Sequence, residues 1–348
     1  MERPEFAQHH ALPIDAAALT EYLRKHLPGA LGGTAPLRVQ KFAGGQSNPT
    51  YKVESDDRAF VLRKKPTGTL LPTAHMIDRE YRIMRALAES EVPVPTVHLY
   101  CADPTVIGGE FFIMDYVPGR IFWDPTLPQL PAAQRRDVYR EMTRVLACLH
   151  RVDPAALGLA DYGKAGNYFA RQIKRWSQQY EAARTEELPA MDELVRWLPQ
   201  NVPDDETTSL VHGDFRLDNM IFHPSEARIL AILDWELSTL GDPLADLAYS
   251  CIPYHLSAPG REPLALAANS GTGIPTEAEY VADYLRFSGR TDSVNLRFHL
   301  AFSLFRSASI IQGVYKRGLS GNASSGAEAV GYRERVVLAA NTAWDLVR

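Results

Sequence analysis

Residues 212–219 read His212-Gly213-Asp214-Phe215-Arg216-Leu217-Asp218-Asn219, and a further aspartate, Asp234, follows fifteen residues after Asn219 in Leu233-Asp234-Trp235-Glu236. As a pattern this is His-x-Asp-x-x-x-x-Asn and then Asp. Carboxylate and amide oxygens are hard ligands, suited to Mg²⁺, and a carboxylate can also take a proton. Phosphoryl transfer from a nucleotide asks for this set: one carboxylate beside an acceptor hydroxyl and oxygen ligands holding metal on the phosphates. Asp214 is the candidate base, Asn219 and Asp234 are the candidate metal ligands, and His212 supports the loop. Gly-Asp and Asp-Asn are also ordinary turn dipeptides, so the octet alone reads equally as a surface turn. Its flanks favour the chemical reading. Apolar runs at 209–211 and 229–233 bracket it, and a strand–loop–strand hairpin would bring Asp214, Asn219 and Asp234 into one pocket.

The same chemistry needs a loop over the phosphates, a cation on a strand, and a helix carboxylate to hold that cation. Gly44-Gly45-Gln46-Ser47-Asn48 lies between two strand signals, which makes Gly44, Gly45 and Ser47 candidate phosphate-loop residues. Arg63 ends the Phe60-Val61-Leu62 run. Side chains alternate along a strand, so Arg63 and Lys65 share a face and Lys64 points away. Arg63 is the choice for the phosphates, with the neighbouring lysines as alternatives. Glu80, in the next helical stretch, is its expected partner, with Asp78 and Glu89 as rivals. Backbone groups of Asp115, Tyr116 and Val117, before Pro118-Gly119, are placed to take an adenine edge.

Two other readings use overlapping residues. His212, Asp214, His223, Asp234, Asp242 and Asp246 could serve a two-metal hydrolase, although such sites usually gather several histidines. His223 precedes Pro224 in an expected hairpin turn and points to solvent on that reading. Asp242 before Pro243 suits a helix N-cap. Asp246, one helical turn on, is the expected brace of the catalytic loop. The other reading is a nucleotide-binding module without catalysis. Arg63 in place of a lysine favours it, since the two cations differ as phosphate ligands.

The elements that must position these groups follow from periodicity. Residues 1–35 read as a leader and a short helix closed by Pro28-Gly29. Strand patterns at 37–42, 51–53, 59–64, 97–100 and 111–117, with one helix at 76–89, predict a five-stranded antiparallel first lobe over 36–117. From 118 to 348 the pattern is mainly helical: 135–150, 168–185, 191–198, 277–288, 294–312 and 328–346. Ala/Gly-rich 265–273 and Gly/Ser-rich 318–326 read as surface loops. The fold class is α+β and bilobal.

The 348 residues suit two lobes, and a net charge of −5 argues against nucleic-acid binding. Three cysteines, Cys101, Cys148 and Cys251, lack metal-ligand spacing and read as buried free thiols of a reducing cytosol. Neither a secretory leader nor a membrane-spanning run is expected.

Together these residues resemble the aminoglycoside phosphotransferase and choline kinase superfamily. The octet, Leu233-Asp234-Trp235, Asp242-Pro243-Leu244-Ala245-Asp246, Phe60-Val61-Leu62-Arg63, Arg79-Glu80-Tyr81 and Met114–Gly119 carry the likeness. It implies a protein-kinase-like fold and the cofactors ATP and Mg²⁺. Val211–Asn219, Leu233–Pro243, Arg171-Gln172 with Trp176 and Tyr180, and Gly313–Arg317 look like the kinase-like domain fused to certain acyl-CoA dehydrogenases. Aminoglycosides are polycations that favour acidic pockets. Arg171, Lys174, Arg175, Lys316 and Arg317 instead suggest an anionic small-molecule alcohol, a hydroxyacyl-CoA among them, though a solvated basic helix face has the same composition.

Overall fold

The computed structural model describes residues 14–29, 31, 37–42, 48–55, 58–66, 76–204, 207–256, 263–268, 271–319 and 327–348. In chain order the elements are helix α1 (Ala16–His26), strands β1 (Arg38–Lys41), β2 (Thr50–Glu54) and β3 (Ala59–Lys64), helix α2 (Ile77–Leu87), and strands β4 (Val97–Cys101) and β5 (Phe111–Asp115). Helices α3 (Ala132–Arg151), α4 (Tyr168–Ala183) and α5 (Pro189–Trp197) follow, then short strands β6 (Ser209–Val211), β7 (Met220–Phe222), β8 (Ile229–Ile232) and β9 (Thr239–Gly241). Helices α6 (Pro243–His255), α7 (Leu264–Ala268), α8 (Glu277–Ser288), α9 (Arg297–Leu319) and α10 (Ala327–Asp345) complete the chain. They group into two compact units: Met1–Ile121 with Leu157–Leu159 and Asp218–Leu237, and Phe122–Ala156 with Ala160–Leu217 and Ser238–Arg348.

The first unit is built on an antiparallel sheet of order β1-β2-β3-β5-β4. Strand alternation decides what each face buries. Tyr51, Val53, Phe60, Leu62, Phe111 and Ile113 form one core with Ile14, Leu19 and Leu23, so α1 covers that face. Residues of opposite parity serve α2: Tyr81 packs on Phe112 with ring centres 6.1 Å apart, and Glu80 reaches Arg63. The unit boundaries differ from those read in the sequence. The short first helix, expected ahead of the lobe, packs into the sheet's core. Residues 218–237 group with the sheet rather than with the helices, because β7 and β8 pair with each other and Phe222 pairs with Arg120. Gly119 is required there: a Cβ would lie 2.4 Å from the Phe222 carbonyl oxygen.

In the second unit β6 pairs with β9, and a large apolar cluster joins α4, α5, α6, α9 and α10. Asp242 caps α6 by accepting the Leu244 N–H at 2.8 Å, with Pro243 in the first turn. Two expectations shift here. α9 runs to Leu319, so Lys316 and Arg317 are helical, and a short helix, α7, begins where an Ala/Gly loop was expected. Cys101, Cys148 and Cys251 are buried and outside any disulfide. No helix among the described residues is long and apolar enough to cross a membrane.

Candidate active site

In the first unit β3 and α2 deliver a buried charge cluster. Arg63 places Nε 2.7 Å from Glu80 Oε2, although the N–H is not aimed along that line, and Nη2 donates to Asp234 Oδ1 at 2.7 Å. Burial alone would lower the Arg63 pKa, but Glu80, Asp234 and Glu236 together raise it, so the guanidinium stays charged. Burial, opposed by Arg63 and assisted by the other two carboxylates, pushes Glu80 up to about 7. Three carboxylates thus face one cation, leaving an excess of negative charge. The other candidates make different contacts: Asp78 and Glu89 are exposed, Lys64 Nζ donates to Gly108 O at 3.2 Å, and Lys65 pairs with Glu110 at 2.8 Å.

Asp234, two residues beyond β8, has φ 66°, a left-handed backbone that a short polar side chain tolerates better than a branched one. Trp235, fully buried, locks the turn through Nε1–H to Ile232 O at 3.0 Å. Leu233 N–H donates to Asn219 O at 2.8 Å, tying the start of β7 to the end of β8. Asn219 and Asp234 are therefore brought together by one hairpin. Asp234 keeps its side chain 35% exposed, with Oδ1 on Arg63 and Oδ2 free of protein donors among the described residues. An amide oxygen and a carboxylate oxygen beside surplus negative charge suit Mg²⁺.

Of the expected phosphate loop, Gly44, Gly45 and Ser47 lie outside the described residues. Asn48 is buried and donates to Glu236 Oε2 at 3.4 Å. At the end of β5, Asp115 N–H donates to Thr96 O and Tyr116 N–H to Ala59 O, so the sheet uses both amides. The Asp115 carboxylate pairs with His98 at 2.6 Å. Val117 N–H donates to no acceptor among the described residues.

In the second unit the loop after β6 is held from below by α6. Asp246 accepts His212 N–H at 2.5 Å and Gly213 N–H at 2.8 Å, and His150 Nε2 lies 3.4 Å from it. Burial would raise the Asp246 carboxyl, but His150, His212 and the Gly213 amide hold it below 3.8, the ordinary aspartate value. Gly213 has φ 82°, which glycine adopts without penalty. His212, fully buried, accepts Asp214 N–H on Nδ1 at 3.1 Å. It shapes the turn. His223 likewise turns inward on its own loop, accepting Ser225 and Glu226 N–H groups. Among the described residues no group of three or more His, Cys, Asp or Glu gathers as a metal site.

Two residues without a sequence signal complete the loop. Tyr249, on α6, donates its hydroxyl to Asp214 Oδ1. Burial and then the Asp214 charge raise its pKa, so it remains a donor. Arg306, on α9, is buried and donates Nη2 to the Gly213 carbonyl. Tyr249 lies two α-helical turns inside α6, so only the fold pairs it with Asp214.

The basic candidates divide. Arg171 donates to the carbonyls of Lys164 and Gly166, pinning the turn before α4. Lys316 donates to Ala182 O at 2.7 Å. Lys174 and Arg317 are exposed on α4 and α9. Arg175 is exposed and lies over the Trp176 ring at 5.0 Å.

A model of the phosphotransferase enzyme family matches residues 38–286. The chain is 50% identical over 321 residues to acyl-CoA dehydrogenase family member 10 of Mus musculus, covering 90% of this chain and 29% of that protein. To acyl-CoA dehydrogenase family member 11 of Homo sapiens it is 44% identical over 317 residues, covering 90% and 40%. It therefore spans well under half of these curated relatives. A crystal structure from Ralstonia eutropha, described as a candidate aminoglycoside phosphotransferase, is 45% identical with a TM-score of 0.85, covering 96% of this chain and 98% of that one. A spectinomycin phosphotransferase solved with ADP and spectinomycin shares the fold at 14% identity and a TM-score of 0.62, covering 95% and 99%. The α+β, kinase-like fold expected from the sequence is the fold of these two solved structures.

Proposed function

The chain belongs to the phosphotransferase enzyme family, and from that premise we propose that it transfers the γ-phosphate of ATP to a hydroxyl of a small anionic molecule, with a hydroxyacyl-CoA the leading candidate. The observation that carries this reading is Arg63 held between Glu80 and Asp234, beside the Asn219–Asp234 hairpin. Arg63 then steadies the α- and β-phosphates, giving up part of its contact with Asp234 to do so. Asn219 and Asp234 hold Mg²⁺, which when bound neutralises phosphate charge. Val117 N–H takes the adenine edge. Asp214 orients or deprotonates the acceptor hydroxyl, with Tyr249 fixing one of its oxygens. His212 and Asp246 keep the loop in shape and take no part in proton transfer.

The substrate class rests on two supports. Relatives that match over this stretch carry acyl-CoA dehydrogenase names, and Arg306 lies beside the Asp214 loop. An aminoglycoside acceptor is the second reading, favoured by the description of the Ralstonia protein. The test is mass spectrometry of MgATP mixed with hydroxyacyl-CoAs, aminoglycosides and neutral alcohols, using the wild type and Asp214→Asn. A phosphorylated product from the wild type only, among the hydroxyacyl-CoAs, is the expected result. Product from aminoglycosides alone would overturn the substrate class. Nucleotide binding without any product would favour a silent binding module.

A further inference from the structure

We propose that Arg306 and Arg175 form an anion-binding subsite beside Asp214, and that the acceptor alcohol carries its own carboxylate or phosphate, which this pair holds. The proposal rests on the reading of Asp214 as the base.

Arg306 is only 6% exposed, and its Nε is buried without a hydrogen-bond partner. Among the described residues its hydrogen bond goes from Nη2 to the Gly213 carbonyl, a neutral acceptor. No carboxylate of the described residues forms an ion pair with it. A buried cation without a counter-charge is costly, and aromatic faces offset only part of that cost. The rings present are Trp176, 5.6 Å from the guanidinium carbon, and Tyr249, at 5.4 Å. A second cation aggravates the imbalance. Arg175 lies 5.0 Å from the same indole, and it too has no ion pair among the described residues. Arg175 is exposed as a residue, yet desolvation where it lies on the helix, and then the charge of Arg306, lower its pKa. Two like charges on one indole, neither in an ion pair among the described residues, is an arrangement that an anion completes.

The position relates this subsite to the chemistry. Arg306 holds the carbonyl of the residue directly before Asp214 and lies over the ring whose hydroxyl holds Asp214. An anion here approaches from the acceptor side. Trp176 is itself fixed, donating Nε1–H to Gln172 Oε1 at 3.0 Å, so it gives the two guanidinium groups a rigid wall. Arg171 and Lys316, the basic residues most prominent in the sequence, spend their donors on backbone carbonyls instead.

Titration calorimetry on the full chain tests this with two probes, 4-hydroxybutyrate as a short hydroxycarboxylate and coenzyme A as a phosphate-bearing molecule. Butane-1,4-diol is the neutral control. The variants are Arg175→Gln, at an exposed position, and Arg306→Lys, which retains a buried cation and so protects folding. At least one anionic probe should bind the wild type saturably, and each variant should weaken it tenfold or more. Which probe binds identifies the anion's source. Binding of neither probe, or equal affinity in wild type and both variants, overturns the subsite, as would equally tight binding of the diol. MgATP affinity is measured alongside. Its loss in the wild type would defeat the phosphotransferase reading, while the anion result is scored on its own.

Discussion

Asp214 accepts the Tyr249 hydroxyl on one oxygen, and on the proposed reading it is the base. Asp214→Asn keeps the size and removes the base, and kcat should fall by about 10²–10⁴ with MgATP affinity retained. A fall in nucleotide affinity instead would assign Asp214 to the donor side. Tyr249→Phe is subtler. It deletes a donor that favours the charged carboxylate, so the acid limb of the kcat profile should move to higher pH. An unmoved limb would reduce Tyr249 to packing. At Arg63, Glu80→Ala leaves a buried guanidinium with Asp234 as its nearest remaining ion pair, and about 3 kcal/mol of stability should be lost in urea melts. Glu80→Gln should cost less. Arg63 and Glu80 were legible because one ends an alternating strand and the other lies on the inward stripe of an amphipathic helix. Tyr249 and Arg306 were not, since a tyrosine and an arginine among helical residues carry no local mark of the loop they meet.

At the scale of elements, α6 is what holds the loop after β6 in place. Its first turn supplies Asp246, whose two oxygens take the amides of His212 and Gly213. Asp246→Asn offers one acceptor where two donors converge, leaving a buried N–H unpaired at a cost of about 1–3 kcal/mol. Linkage gives the sign with pH. The folded pKa lies below 3.8, so the carboxylate's contribution is present above that value and is lost as pH falls through the folded pKa. The gap in urea midpoint between wild type and Asp246→Asn should be full at pH 7 and narrow below pH 3.8; a gap independent of pH would mean that the charge contributes nothing. The sequence announced α6 through its Asp242-Pro243 start, and α8 through its periodicity. It did not announce β7 and β9. Strands of three residues are too short to show a period, and their pairing is set by partners distant in sequence. The Cβ clash at Gly119 belongs to the same class: its neighbour Phe222 is a hundred residues away in the chain, and no local pattern predicts the approach.

At the scale of the whole molecule, nucleotide binding is measurable without knowing the acceptor, because a ligand that binds only the folded chain raises its melting temperature. At a hundredfold excess over Kd the gain is about 2.7 kcal/mol. Spread over the unfolding entropy of a chain of 348 residues, that is a rise of roughly 4 °C. The combination of ligands carries the discrimination. MgATP should produce the shift, ATP with chelator much less, and Mg²⁺ alone almost none, because Asn219 and Asp234 are too few to hold a cation without phosphate oxygens. Asp234→Asn should lose the magnesium-dependent part, whereas Asp214→Asn should keep the whole shift while making no product. A two-metal hydrolase would show the reverse order, with metal alone stabilising and nucleotide adding little. The same scan on the longer acyl-CoA dehydrogenase relatives, of which this chain spans 29% and 40% in the mouse and human proteins, should show an MgATP-dependent transition if the matched segment acts there as it does here. A flat response to MgATP in this chain would sink the nucleotide-site reading, and with it the roles given to Arg63, Asn219 and Asp234.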